Sequence, residues 1–96
     1  MPAYCIAEVE VTDAEGFATY RDAVPATIAQ YGGRYLARGG RVEAMEGGWE
    51  PKRLVILEFP SVEQALAWYH SEEYRDPKAL RQRTANTRFV IVEGTG

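Results

Sequence analysis

The feature that most constrains this chain is a set of strand-like segments that are apolar on both sides. In Arg53–Phe59, Val55, Leu57 and Phe59 point to one face of a sheet, and Leu54 and Ile56 to the other. In Arg88–Gly94, Phe89 and Ile91 oppose Val90 and Val92. In Ala3–Val11, Cys5, Ala7 and Val9 oppose Tyr4 and Ile6, with Glu8 and Glu10 entering late. A sheet wetted on one side alternates apolar and polar residues. These segments do not, so both faces of their sheet need cover.

Two helical segments supply one cover. Thr12 and Glu15 of "TDAE" are spaced as a capping box, and Phe17, Tyr20, Val24, Ile28 and Tyr31 then share a helical face. Pro25 interrupts that pattern; it removes the bond to the Arg21 carbonyl and predicts a kink. Gly32-Gly33 ends the helix. "RYLAR" (Arg34–Arg38) is a strand that "RVEAME" could extend past Gly39-Gly40, and Gly47–Pro51 form a turn. After Pro60, Ser61–Gln64 is a second capping box, with Val62, Ala65, Leu66 and Tyr69 on the buried face of its helix. "SEEYRDP" breaks that helix, and Asp76-Pro77 caps a short further one through about Asn86.

The resulting order, strand–helix–strand–strand–helix–strand, is the βαββαβ pattern of an α+β ferredoxin-like domain with a four-stranded antiparallel sheet. Strands one and three lie at its centre, and strand two suits an edge. Right-handed crossovers put both helical layers on one face. The other face has a footprint on the order of 400 Å², as large as the biggest apolar patch a monomer usually tolerates. A second sheet is the natural cover. The expectation is a homodimer through the sheet faces, two sheets packed into a dimeric α+β barrel, each burying roughly 800 Å².

The 96 residues suit a single domain, 1–96, with a thin core that extra burial would help. Fourteen acids against eleven Lys and Arg argue against nucleic acid as a partner. No apolar run approaches a membrane span, and the start lacks a basic n-region before a long apolar run, so neither membrane nor signal peptide is expected. A lone cysteine, Cys5, fits a reducing compartment, and the cytoplasm is the expected location. The glycine pairs of Leu36–Pro51 do not form a phosphate loop, because a strand rather than a helix follows them and no Lys–Ser/Thr pair closes the motif. Gly39-Gly40 instead kinks or bulges an edge strand, and Gly47-Gly48 permits a turn.

Several motifs together resemble the domain of unknown function 1330 family, within the dimeric α+β barrel superfamily. They are Tyr20, "GGRYLARGG" (Gly32–Gly40), "EGGW" (Glu46–Trp49), "EFPS" (Glu58–Ser61), "WYHSEEY" (Trp68–Tyr74) and the closing "VEG". The resemblance spans nearly the whole chain and implies the same dimeric barrel. It implies no established reaction. Related barrels include cofactor-free oxygenases, lactone isomerases, haem-degrading enzymes and stress-response proteins without clear catalysis.

Candidate site residues follow from chemistry. Tyr20, Trp68, Tyr69 and Tyr74 lie on or beside the helices and could line a pocket or simply pack the core. Trp49 could reach a partner subunit. Arg38 and Glu58 sit among apolar strand positions, where they could orient a polar ligand, form the solvated ends of their strands, or pair with each other. Arg75, Lys78, Arg81, Arg83 and Arg88 form a basic segment that reads first as a solvated face and second as a dock for a small carboxylate, with Arg81 the candidate for holding it. His70 falls at a helix end, where the dipole favours it; its sharper readings are general base or haem ligand. One His and one Cys are too few for a zinc site within the chain, and Ser61 and Ser71 read as helix caps.

The function these residues suggest is binding of a small aromatic or carboxylated compound between sheet and helices by a homodimer. Catalysis, if any, would need no cofactor and would be proton transfer or oxygenation, with Tyr20, Glu58, Tyr69 or His70 as candidate catalytic groups. Tyr20, Arg38, Trp68, Tyr69, Tyr74 and Arg81 are the candidate ligand contacts, and no metal is expected. The alternatives are a non-catalytic dimeric stress-response or structural protein, and haem binding through His70. A pocket lined by Tyr20, Trp68 and Tyr69 with inward polar groups favours ligand chemistry; a filled core there favours the non-catalytic protein.

Overall fold

The computed structural model describes residues 1–96. Its elements are β1 (Ala3–Val11), α1 (Ala14–Gln30), β2 (Arg34–Arg38), β3 (Leu54–Phe59), α2 (Val62–Tyr69), α3 (Glu72–Thr84) and β4 (Ala85–Glu93). The four strands form one antiparallel sheet in the order β2-β3-β1-β4, so β1 and β3 are central and β2 is an edge. This is the ferredoxin-like α+β fold.

The two-sided strands explain the layering. Ala3, Cys5, Ala7 and Val9 of β1 are buried, and Cys5 joins Leu57 and Phe59 under Val24 and Ile28 of α1, Ala65 and Trp68 of α2 and Tyr74 of α3. On the other face Ile6 stands between Ile56 and Val90, and Tyr4 between Glu58 and Val92. Val90 and Val92 are 59% and 47% exposed, and Leu36 on the edge is 47% exposed. The molecule is a slab of 33 × 32 × 16 Å, one sheet deep and one helical layer deep.

Local chemistry sets the boundaries, sometimes differently from the sequence reading. Asp13, not Thr12, caps α1: its carboxylate accepts from the Gly16 amide at 3.2 Å. Ser61 caps α2 as expected, accepting from Gln64 N at 3.1 Å. The third helix starts five residues before Pro77, because Ser71 accepts from Tyr74 N at 3.1 Å and donates to Trp68 O at 2.7 Å. That places Tyr74 in the first turn, fully buried and stacked 4.1 Å from Trp68. Burying an aromatic pair so completely offsets the roughly 3 kcal/mol that an internal proline costs a helix. β4 then begins at Ala85, directly after α3, rather than at Arg88. β2 ends at Arg38 without extension through "RVEAME", and its bulge falls between Tyr35 and Ala37 instead of at Gly39-Gly40. Gly47 and Gly48 both take positive φ, as the turn requires.

The polar atoms around Trp68 are matched. Trp68, 1% exposed, donates from Nε1 to Thr27 Oγ1 at 3.0 Å, and Thr27 donates to Val24 O at 2.8 Å. Thr27→Val keeps the side-chain volume but leaves the indole N–H with no acceptor. It should destabilise the protein by about 1–3 kcal/mol in a denaturant titration; an unchanged midpoint would show that the bond contributes nothing.

Candidate functional site

Between the helices and the sheet the core is not filled. A cavity of about 40 Å³ lies above Cys5, Ala7, Val55, Leu57 and Phe89 of the sheet. Phe17, Tyr20 and Val24 of α1, Tyr35 of β2 and Trp68 of α2 form its walls. A water requires roughly 10–15 Å³, so the enclosed part takes about three or four waters or the polar head of a small molecule. Four arginines also line it: Arg21, Arg38, Arg53 and Arg81, while no Asp or Glu does.

Each arginine is held by a different device. Arg81 comes from α3 and is 5% exposed. Its Nε donates to Tyr74 Oη at 3.3 Å, its Cζ lies 5.7 Å from the Phe89 ring centre, and its Nη2 is buried with no partner. Arg53 precedes β3 and lies 5.6 Å from the Phe17 ring centre; its Nε is also buried and unpartnered. Gly39 makes room for it, because a Cβ there would come within 2.3 Å of Arg53 Nη1. With φ of +73° this glycine is needed for its backbone as well. Arg38 lies 4.5 Å over the Tyr35 ring and donates from Nη2 to Arg21 O at 2.6 Å. That carbonyl is the one Pro25 deprives of its helical amide. α1 continues through Pro25, and the freed acceptor anchors an arginine. Arg21 and Arg38 are exposed at the rim.

The bulge in β2 decides which arginine enters. In a regular strand Arg34, Leu36 and Arg38 would share a face. The extra residue keeps Arg34 opposite Glu58 and turns Arg38, opposite Val55, towards the helices. Arg34 Nε therefore meets Glu58 Oε1 at 2.7 Å on the far side of the sheet, and the Arg38–Glu58 pair does not form. The other ion pairs, Arg41–Glu43 and Arg75–Asp76, involve none of the four cavity arginines.

Burial fixes the protonation states. Desolvation first, then the neighbouring Tyr74, raises the Tyr20 hydroxyl far above the ordinary tyrosine range. Burial likewise raises Tyr74. Both are neutral donors rather than bases. Burial, then the like charges of Arg38 and Arg21, pushes Arg53 below the usual arginine value. For Arg81 burial opposes the charge, but Tyr74, Tyr20 and Tyr69 together outweigh it and the guanidinium ends above its ordinary value. Burial also pushes the Cys5 thiol up to about 11, so it stays protonated.

Of the expected site residues, Tyr20, Arg38, Trp68 and Arg81 meet at the cavity. Tyr74 lies directly behind Tyr20, with hydroxyls 2.9 Å apart. Tyr69, His70 and Glu58 are elsewhere. Lys78 covers the Tyr69 ring at 4.2 Å and donates to its carbonyl at 2.9 Å. His70 is an exposed C-cap of α2 with its ring edge-on to Tyr69. Arg21, Tyr35 and Arg53 were not anticipated. For Arg53 the signal was present, since it alternates in register with Val55, Leu57 and Phe59. No three His, Cys, Asp or Glu residues gather as metal ligands, and no helix is long and apolar enough to cross a membrane.

Residues 2–95 match the family described as Domain of unknown function (DUF1330). The chain belongs to that family. No curated protein matches it. Among solved structures it is similar to a protein of unknown function from Rhodopseudomonas palustris, at 19% identity and a TM-score of 0.78 over 99% of this chain and 83% of that one. A dimeric ferredoxin-like protein of unknown function from Jannaschia sp. gives 10% identity and 0.73, over 98% of this chain and 100% of that one. SnoaB, a cofactor-independent oxygenase from Streptomyces nogalater, gives 7% and 0.70, over 99% of this chain and 94% of that one. At these identities the likeness establishes the fold of this DUF1330 chain.

The link between Pro25 and Arg38 is testable. Pro25→Ala restores a helical amide to compete for Arg21 O. It should raise the melting temperature by about 4–8 °C per kcal/mol gained and release Arg38, narrowing its side-chain N–H signals in NMR. A lower melting temperature with unchanged Arg38 signals would contradict the assignment.

Proposed function

We propose that this DUF1330 protein is a homodimer that binds a small organic anion, aromatic or carboxylated, in the cavity between sheet and helices. One observation carries the reading: Arg81 and Arg53, two of the residues lining a cavity without any carboxylate, each keep a buried N–H group with no partner, Arg81 Nη2 and Arg53 Nε. A buried charge normally demands a counter-charge. A ligand carboxylate or oxyanion supplies it, and arginine's fork suits that shape. The enclosed space takes the ligand's anionic head, and the rim arginines draw the anion in.

The dimer rests on the open sheet face. The band of Ile56, Ile6 and Val90, flanked by Leu54, Tyr4 and Val92, is apolar, and the fold leaves no helix to cover it. Two solved proteins of this fold are described as dimeric, which supports a dimer here.

The oxygenase SnoaB, which needs no cofactor, supports a catalytic version, in which Tyr20 donates a hydrogen bond and Arg81 stabilises negative charge as it develops on a bound substrate. Glu58, Tyr69 and His70 have no part in it, being outside the cavity. A dimer without catalysis is the second reading; the unfilled, cationic cavity favours the first.

Arg81→Met separates binding from stability. Exchanging a buried charge for an apolar side chain is commonly neutral or stabilising. Wild type should melt higher when acetate, propionate or benzoate is added, whereas Arg81→Met should melt at least as high as wild type alone and lose the response. Wild type unmoved by every acid, with Arg81→Met strongly destabilised, would make Arg81 a structural group and end the proposal. Sedimentation at micromolar concentration should give twice the 10.8 kDa chain mass.

A further inference from the structure

Behind the cavity wall runs a short chain of polar atoms. Arg81 Nε donates to Tyr74 Oη at 3.3 Å, and Tyr74 Oη lies 2.9 Å from Tyr20 Oη. Counting hydrogens fixes its direction. A guanidinium has donors only, whereas each phenol has one hydrogen to give. Tyr74 is 0% exposed, and Arg81 and Tyr20 are the only partners of its hydroxyl. Arg81 cannot accept, so the Tyr74 hydrogen goes to Tyr20. The opposite direction would bury an unmatched donor at a cost of about 1–3 kcal/mol. Tyr20 thus accepts from behind, and its own hydrogen is left for the cavity that it lines.

The chain starts on a cation, so each bond polarises the next and strengthens Tyr20 as a donor. Around Tyr20 stand Tyr74 and Arg81 of α3, Tyr35 and Arg38 of β2, Cys5 of β1 and Arg53 before β3. None of them is negative at neutral pH, and none offers Tyr20 a competing acceptor among the hydrogen bonds formed.

We infer that Tyr74, out of reach of any ligand, is a positioning residue that fixes Tyr20 as a donor into the cavity, and that the site therefore takes the ionised form of a weakly acidic hydroxyl, a phenolate or an enolate. The ligand oxygen receives the Tyr20 hydrogen bond and one from the free Arg81 Nη2, and the proton the ligand has lost passes to water. A neutral phenol brings its own hydrogen to a place already supplied with donors, so it binds less well. This inference rests on the anion-binding reading of the cavity and narrows its ligand class.

4-Nitrophenol tests it, because its neutral and ionised forms absorb at different wavelengths. Titrated across pH with excess protein, wild type should bind the phenolate at least about tenfold more tightly than the phenol, a charge-assisted bond being worth roughly 1.5–3 kcal/mol. Tyr74→Phe keeps the ring stacked on Trp68, and it should cut that preference several-fold. A purely structural role for Tyr74 would weaken both forms alike. If Tyr74→Phe does not fold, Tyr20→Phe, at the half-buried wall, must lose the preference in its place. Equal binding of both forms to wild type, or an intact preference in the variant, overturns this inference while leaving the cavity a ligand site. Binding of neither form, nor of benzoate, overturns the ligand site and this inference together.

Discussion

A guanidinium sealed in an aromatic core without a carboxylate is the constraint around which this protein is arranged. Removing such a group from water costs several kcal/mol even after relaxation. Arg81 recovers part of that through one hydrogen bond to Tyr74 and the face of Phe89, and keeps Nη2 unmatched. The Trp68–Tyr74 stack and the early start of α3 at Ser71 carry Arg81 to its position, two turns along the same helix. An apolar residue would serve the core better. In the proposed reading an anionic ligand offsets that cost.

Edge strand β2 and the residues around it build the rest of the site. The bulge at Leu36 sends Arg34 to one face and Arg38 to the other; Gly39 clears space for Arg53; Pro25 frees the carbonyl that holds Arg38. Each of these would be a defect in a helix or strand judged alone, and each places an arginine. The two sheet faces thus have separate uses. One holds the cavity, and the other is apolar from Ile56 to Val90 and is the face the proposed dimer covers.

The fold was legible because it rests on period and order. Alternation in Arg53–Phe59 and Ala3–Val11 assigned side chains to the correct faces, and the sequence of elements allowed few topologies. Boundaries were less legible where two local signals competed. Ser71 won over Asp76-Pro77 because Tyr74 gained full burial from the earlier start, a tertiary effect with no mark in the local sequence. The site was half legible. Of the candidates that chemistry suggested, Tyr20, Arg38, Trp68 and Arg81 line the cavity, whereas His70 and Glu58 stand outside it. The bulge, invisible to pattern reading, turned the expected Arg38–Glu58 pair into Arg34–Glu58.

The most direct measurement of the central claim is arginine side-chain NMR of the whole protein, recorded before and after adding benzoate. Arg81 and Arg53 should give slowly exchanging, shifted N–H signals that move together in one saturable step, while Arg34, paired with Glu58 across the sheet, stays still. Signals for Arg81 and Arg53 that ignore the anion, or that move no more than Arg34, would show that the cavity arginines await no ligand.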